Sequence, residues 1–216
     1  MDKSQAHAIK HPQTSKDRGA FTVCVYCGSG QGTNAAYKDA ATVLGTQLAR
    51  QGLNLVYGGG GLGLMGAVAG AALKEGGHVT GIMPYFLSEK EKQLAGLSEL
   101  MVVDNMHQRK MAMFEHSDAF VALPGGIGTL EELVEQLTWS QLGRHKKPIV
   151  LANIDGFWNP LLSLLNNMRE KSFIREGMEV NVAVIDDAKK IIPTVQTLLE
   201  TSTSNDPQRL DVLTKF

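Results

Sequence analysis

Seven short apolar runs punctuate the chain, at 21–26, 53–57, 78–83, 100–103, 119–123, 148–152 and 182–185, each continuous rather than alternating. Between them apolar residues return at helical spacing. This predicts helices from about 34 to 50, up to about 75, onward from 106, from the 124–132 stretch to about 142, and over 157–171, with Asp186 placed to cap another. Continuous strands separated by crossover helices indicate a parallel sheet covered on both faces, a doubly wound α/β fold. Right-handed crossovers then gather the loops that follow the strands along the carboxyl edge, where open α/β sheets bind ligands.

Three of those loops are glycine-rich: Cys27-Gly28-Ser29-Gly30-Gln31-Gly32, Gly58-Gly59-Gly60-Gly61-Leu62-Gly63 and Pro124-Gly125-Gly126-Ile127-Gly128-Thr129-Leu130-Glu131-Glu132. The third reads as strand, turn, helix. Its glycines allow close backbone approach, and the free N–H groups of the helix behind them suit an anion, most often a phosphate. Thr129 can cap that helix or donate to the anion, and Glu131 and Glu132 place carboxylates in its first turn. A helical wheel puts Leu130, Leu133, Val134, Leu137 and Gln141 on a core face and leaves Glu132, Gln136 and Trp139 opposite, with Trp139 expected at a ligand or a subunit contact.

Gly61-Leu62-Gly63-Leu64-Met65-Gly66 matches the G-x-G-x-x-G fingerprint, yet the next strand ends Ile82-Met83-Pro84 with no acid for a ribose, which disfavours a nicotinamide dinucleotide. These glycines are read as a close-approach surface for a smaller phosphorylated ligand. Met106-His107-Gln108-Arg109-Lys110-Met111-Ala112-Met113 begins a helix in which Arg109 shares a stripe with Met106 and Met113, and an arginine so placed wants an anion. His107 is read as a residue that caps or packs as readily as it catalyses. Between Pro84 and Leu100 the charged stretch around Glu89 and Glu91 is a possible lid.

Composition narrows the classes. With 216 residues, 43% of them apolar, one domain is expected: a disordered leader over 1–20, the domain over 21–200, and a frayed tail over 201–216. The net charge of −1 and the lack of a long basic run argue against nucleic acid. No apolar run approaches the roughly 20 residues of a membrane span, so a soluble, cytoplasmic protein is expected. Cys24 and Cys27 form a C-x-x-C without a second pair, and the expectation is structural cysteines and no metal. No Walker, H-E-x-x-H or Ser/His/Asp pattern occurs.

The 58–61 glycines, Met106-His107-Gln108-Arg109-Lys110 and the P-G-G-x-G-T-x-x-E signature at 124–132 resemble the Lonely Guy (LOG) family of cytokinin riboside 5′-monophosphate phosphoribohydrolases, often labelled lysine decarboxylases. The similarity runs from about 21 to 185. It implies a Rossmann-like fold, a homodimer, no cofactor, and hydrolysis of a nucleoside 5′-monophosphate, a cytokinin riboside monophosphate or AMP, to free base and ribose 5-phosphate. Carried over by motif, Arg109 and Glu132 are the catalytic pair. Lys110, Gly125, Gly126, Ile127, Gly128, Thr129 and Glu131 surround the substrate, joined by Ser29, Gly59 and Gly60 from the first two loops. Thr138 and Glu91 align more loosely. A carboxylate suits this chemistry because an oxocarbenium-like sugar develops positive charge and the attacking water must lose a proton. The competing classes are a carrier of the same fold, such as the molybdenum-cofactor carriers, which needs no catalytic carboxylate, and a pyridoxal-phosphate decarboxylase, for which neither Lys74 nor Lys110 has the context.

Overall fold

The structure is a computed structural model that describes residues 19–88, 93–201 and 212–216. Strands β1 (Thr22–Tyr26), β2 (Asn54–Tyr57), β3 (Val79–Pro84), β4 (Glu99–Val103), β5 (Ala119–Ala122), β6 (Ile149–Ala152) and β7 (Asn181–Ile185) occupy the seven apolar runs, within a residue or so at each end. They form one sheet in the order β4-β3-β2-β1-β5-β6-β7, every neighbouring pair parallel. The Rossmann-like, doubly wound expectation therefore holds. An eighth strand, β8 (Thr214–Lys215), adds antiparallel to β7.

The helices are α1 (Ala35–Arg50), α2 (Gly63–Lys74), the single turn α3 (Tyr85–Ser88), α4 (Met106–Glu115), α5 (Ile127–Gln141), α6 (Asn159–Glu170) and α7 (Ala188–Thr201). Successive strand residues point to opposite faces. Val23 and Val25 of β1 thus join the core under α1, α2 and α7, while Cys24 and Tyr26 join the one under α4, α5 and α6. Each fully buried leucine in these layers, such as Leu44 or Leu133, stabilises the fold by about 1.5–3 kcal/mol. Helices α1 and α2 lie in close contact because Gly45 has no side chain; a Cβ there would fall 2.0 Å from the Val68 carbonyl oxygen.

Local signals explain the helix ends. Asn34 caps α1 by accepting the Ala36 N–H at 2.9 Å, and Asn105 caps α4 by accepting the Gln108 N–H at 3.0 Å. The cap of α7 falls one residue from its expected place: Asp187 accepts the Lys189 N–H, whereas Asp186 takes a hydrogen bond from the Asn153 amide. The chain end differs more. Phe216 is buried and exchanges two backbone hydrogen bonds with Val180, so 212–216 complete the sheet instead of fraying. The leader over 1–18, Glu89 and Glu91 in the possible lid, and 202–211 lie outside the described residues. Among the described residues no helix is long and apolar enough to cross a membrane.

The strand order reverses between β1 and β5, the neighbours at the centre of the sheet. Loops 27–34 and 123–126 leave toward opposite faces there and open a crevice at the carboxyl edge.

Candidate active site

Helix α5 starts without a side-chain cap, since Gly126 occupies the N-cap position and has no side chain to accept a backbone N–H. Thr129 is not the cap. It is buried inside the first turn, and a Cβ at Gly125 would lie 2.2 Å from its Oγ1, so Gly125 is the residue that lets the turn close over Thr129. The glutamates likewise sit beyond the first turn, which holds no acid, and do not serve the helix dipole there. The expected faces of α5 hold in part: Leu133 and Leu137 are buried and Leu130 packs on the core, but Glu132 and Gln136 turn inward with them and Val134 does not. Thr129, Glu132, Leu133, Gln136 and Leu137 are buried, while Ile127 and Val134 face outward with 82% and 42% exposure. The helix has apolar residues on two sides, and counting them alone could not say which side meets the sheet.

The burial of Glu132 has a partner. Arg109 on α4 donates from Nη1 to Glu132 Oε1 at 2.8 Å, with the two side chains 8% and 7% exposed. Its Nε donates to the Ile82 carbonyl at 3.1 Å at the end of β3, which fixes the guanidinium plane. Gly58, just after β2, makes room: a Cβ there would lie 2.3 Å from Arg109 Nη2. Elements β2, β3, α4 and α5 therefore converge on one ion pair. Burial pushes the Glu132 carboxyl above its ordinary range; the Arg109 charge offsets part of this, and the Glu131 charge adds to it. Glu132 Oε2 accepts no hydrogen bond among the described residues and remains open to another partner.

A second ion cluster flanks the first. Lys110 Nζ donates to Glu131 Oε1 at 2.5 Å and to Glu135 Oε1 at 3.0 Å, tying α4 to α5 one residue along from the Arg109–Glu132 pair. Lys110 is thus held by carboxylates rather than standing free for a phosphate.

The crevice at the strand reversal is a cavity of about 320 Å³ bounded by 28–32, Leu64, 124–126, Tyr37 and Phe157. Ser29 lies in its wall. Tyr37 and Phe157 meet edge to face at 5.8 Å, and neither was legible as a site residue. Their placement depends on Asp155, which takes a left-handed backbone (φ 53°) after β6 and accepts a hydrogen bond from the α1 cap Asn34 at 2.6 Å. A strained non-glycine residue held by its side chain joins two loops and turns Phe157 into the crevice. The backbone N–H groups of Ser29, Gly30, Gln31 and Gly32 make no hydrogen bond among the described residues, and those of Gly126, Ile127 and Gly128 open α5. Such donors suit an anion.

Other expected residues serve the scaffold. The Leu64 N–H at the start of α2 is taken by the Gly28 and Gly30 carbonyls, and a Cβ at Gly63 would strike the Ser29 backbone, so Gly63 lets the start of α2 pack directly on the loop after β1. Gly59 and Gly60 accept the returning chain, through the Leu94 N–H and a bridge to Gln93. Thr138 is exposed, its hydroxyl donates to the Val134 carbonyl, and its position on α5 faces away from the ion pair. Trp139 packs on Phe114 at 5.0 Å and under the Arg144 guanidinium at 4.5 Å, within its own chain. His107 is exposed and neither caps nor packs. Both thiols are free and buried, and burial pushes Cys24 up to about 12, as structural cysteines should be. Among the described residues no group of three His, Cys, Asp or Glu side chains could hold a metal.

Sequence and structure comparisons agree with this geometry. A family model described as "Possible lysine decarboxylase" matches residues 65–195. The cytokinin riboside 5′-monophosphate phosphoribohydrolase LOG of Oryza sativa subsp. japonica is 47% identical over 178 residues, 82% of this chain and 69% of that protein. LOG1 of Arabidopsis thaliana is 45% identical over 174 residues, 81% of this chain and 82% of its own length. Among solved structures, the molybdenum cofactor binding protein of Rippkaea orientalis superposes with a TM-score of 0.64 at 22% identity, covering 83% of this chain and 98% of that one. The molybdenum cofactor carrier protein of Chlamydomonas reinhardtii does so with 0.61 at 23%, covering 84% and 99%. Identities that low establish the shared fold alone, whereas the curated relatives and the family model place the protein: the chain belongs to the LOG family.

Proposed function

We propose that this protein hydrolyses the N-glycosidic bond of a nucleoside 5′-monophosphate, a cytokinin riboside 5′-monophosphate or AMP, releasing the free base and ribose 5-phosphate. The single observation behind the reading is the buried Arg109–Glu132 pair beside the glycine turn. Relatives at 45–47% identity bear the name of this activity. The substrate phosphate sits in the crevice on the donors of 29–32 and 126–129, and its binding energy fixes the ribose against Glu132. Glu132, held on Oε1 by Arg109, uses Oε2 to take a proton from the attacking water and to stabilise the oxocarbenium-like sugar. Its raised proton affinity suits a base that must accept a proton near neutral pH.

A non-catalytic carrier of the same fold is the second reading, favoured by the likeness to molybdenum-cofactor proteins. Such a carrier has no need of a buried carboxylate whose desolvation costs stability, and the hydrolase reading is preferred for that reason.

The protein acts as a homodimer. Ile127 and Leu130 on α5 and Pro160, Leu161 and Leu164 on α6 form an apolar groove of about 430 Å³ together with Phe157 and Trp158, a face suited to a second copy. Two unpaired thiols fit a reducing, cytoplasmic setting.

The test is product chromatography after incubation of the protein, and of Glu132→Gln, with AMP and with isopentenyladenosine 5′-monophosphate. The reading requires base release by the wild type and its loss in the variant. Intact nucleotide from both would overturn it.

A further inference from the structure

The Lys110 cluster lies outside the proposed chemistry and is built with more contacts than a surface ion pair. Its side chain is 13% exposed, and its ammonium uses two N–H donors on carboxylates from successive turns of α5, Glu131 and Glu135. Glu135 is itself largely covered, and its Oε2 is buried without a hydrogen-bond partner. Exposed lysine–glutamate pairs are solvated and mobile. This one is anchored in the seam between α4 and α5, next in sequence to Arg109 on one helix and to Glu132 on the other.

We infer that Lys110 and Glu135 are positioning residues: Glu135 and Glu131 clasp the Lys110 ammonium, which holds α4 and α5 in the register that sets Arg109 on Glu132 and screens Glu132 from the Glu131 charge. Lys110 then acts through Glu132 and not on the substrate. For its kinetic arm the inference rests on the hydrolase reading; its structural arm does not.

Two consequences have opposite signs. The charged and titratable groups facing Glu132 are Arg109 and Lys110 from α4, Glu131 from its own helix, and Cys24, Tyr26 and Cys27 from β1 and the residue after it. Burial raises the two thiols and the phenol, so they stay neutral between pH 4 and 9. Removing the Lys110 charge leaves Glu131 uncompensated, and Glu132 keeps its proton to higher pH. Removing the Glu131 charge does the reverse. Glu135→Gln changes the clasp more than the local field at Glu132 and should loosen the Arg109 guanidinium.

The experiment is NMR of the whole protein labelled with ¹³C at glutamate carboxyls and ¹⁵N at arginine Nε. In Lys110→Met the Glu132 titration midpoint should rise by about half a pH unit, roughly threefold in proton affinity, and in Glu131→Gln it should fall. In Glu135→Gln the Arg109 Nε–H, bonded to Ile82 in the native protein, should exchange with solvent about tenfold faster. Lys110→Arg, which keeps the charge and both carboxylate partners, should leave both readouts at their native values. In the kinetic arm Glu135→Gln should lower kcat with KM unchanged, and the acid limb of the Lys110→Met profile should move with the NMR midpoint. An unchanged Glu132 midpoint together with unchanged Arg109 exchange would overturn the inference. So would a Lys110→Met defect confined to ribose 5-phosphate binding, which would make Lys110 a substrate contact. If the wild type releases no base, the hydrolase reading fails and the two NMR readouts still decide this one.

Discussion

Replacing Arg109 by Met keeps an unbranched stem of similar reach and removes the charge that compensates Glu132. The two charges are separated by a 2.8 Å hydrogen bond and more than nine-tenths covered. Charge centres roughly 4 Å apart at an effective dielectric near 20 attract by about 4 kcal/mol, and breaking buried pairs typically costs about 3–5 kcal/mol. At pH 8 the variant should therefore be less stable than the wild type by about 4 kcal/mol. Its Glu132 carboxyl, raised by burial already in the native protein, loses the interaction that offsets that rise. A group whose folded-state affinity for protons exceeds its unfolded one contributes fully below the unfolded range and loses that contribution as pH rises through the folded one. The deficit of the variant should accordingly shrink on acidification, by up to about 1.4 kcal/mol per pH unit once Glu132 takes up its proton. Urea unfolding of both proteins at pH 5, 6, 7 and 8 measures this. A deficit under about 1 kcal/mol at pH 8, or one that is flat across the series, would show that the pair does not govern the site as argued.

Three further outcomes are expected. Gly58→Ala places a Cβ 2.3 Å from Arg109 Nη2 and should displace the guanidinium, lowering kcat at least tenfold, checked by initial rates alongside a thermal melt showing the fold retained. Gly125→Ala meets Thr129 Oγ1 at 2.2 Å and should cost about 1–3 kcal/mol of stability by urea titration, while Gly126→Ala faces open space and should cost under about 1 kcal/mol. Native protein should leave Cys24 and Cys27 unlabelled by a thiol reagent at pH 8 until urea exposes them; rapid labelling without urea would contradict their burial.

The strands were legible because continuous apolar runs bounded by glycine and polar residues have few other uses. The chemistry-bearing loops followed from them, since a parallel sheet leaves few places for its carboxyl-edge connections. Arg109 also reads correctly, as a cation on an apolar stripe that must find an anion. Other features depend on tertiary contacts that periodicity cannot express. Helix α5 has apolar residues on two sides, so its pattern did not show that Glu132 and Gln136 turn inward with Leu133 and Leu137. The 61–66 glycines match a phosphate motif, yet Gly63 is held against the loop after β1, and sequence alone does not distinguish backbone approaching backbone from backbone approaching ligand. Tyr37 and Phe157 lie far apart in sequence and meet through an Asn34–Asp155 bond that no local signal announces. Glu135 reads as one more exposed helical acid until Lys110 arrives from α4.

The two-residue strand β8 has a consequence for handling the protein. Its ladder with β7 and the Val180–Phe216 bonds occupy the backbone groups that would otherwise line that margin of the sheet. A parallel sheet open at both margins can stack edge to edge with its neighbours, and here the β7 margin is capped by the two-residue β8, an edge strand too short to offer much to a partner. Deleting 212–216 would reopen the β7 margin and is expected to increase self-association through strand pairing, measured by light scattering against the intact chain.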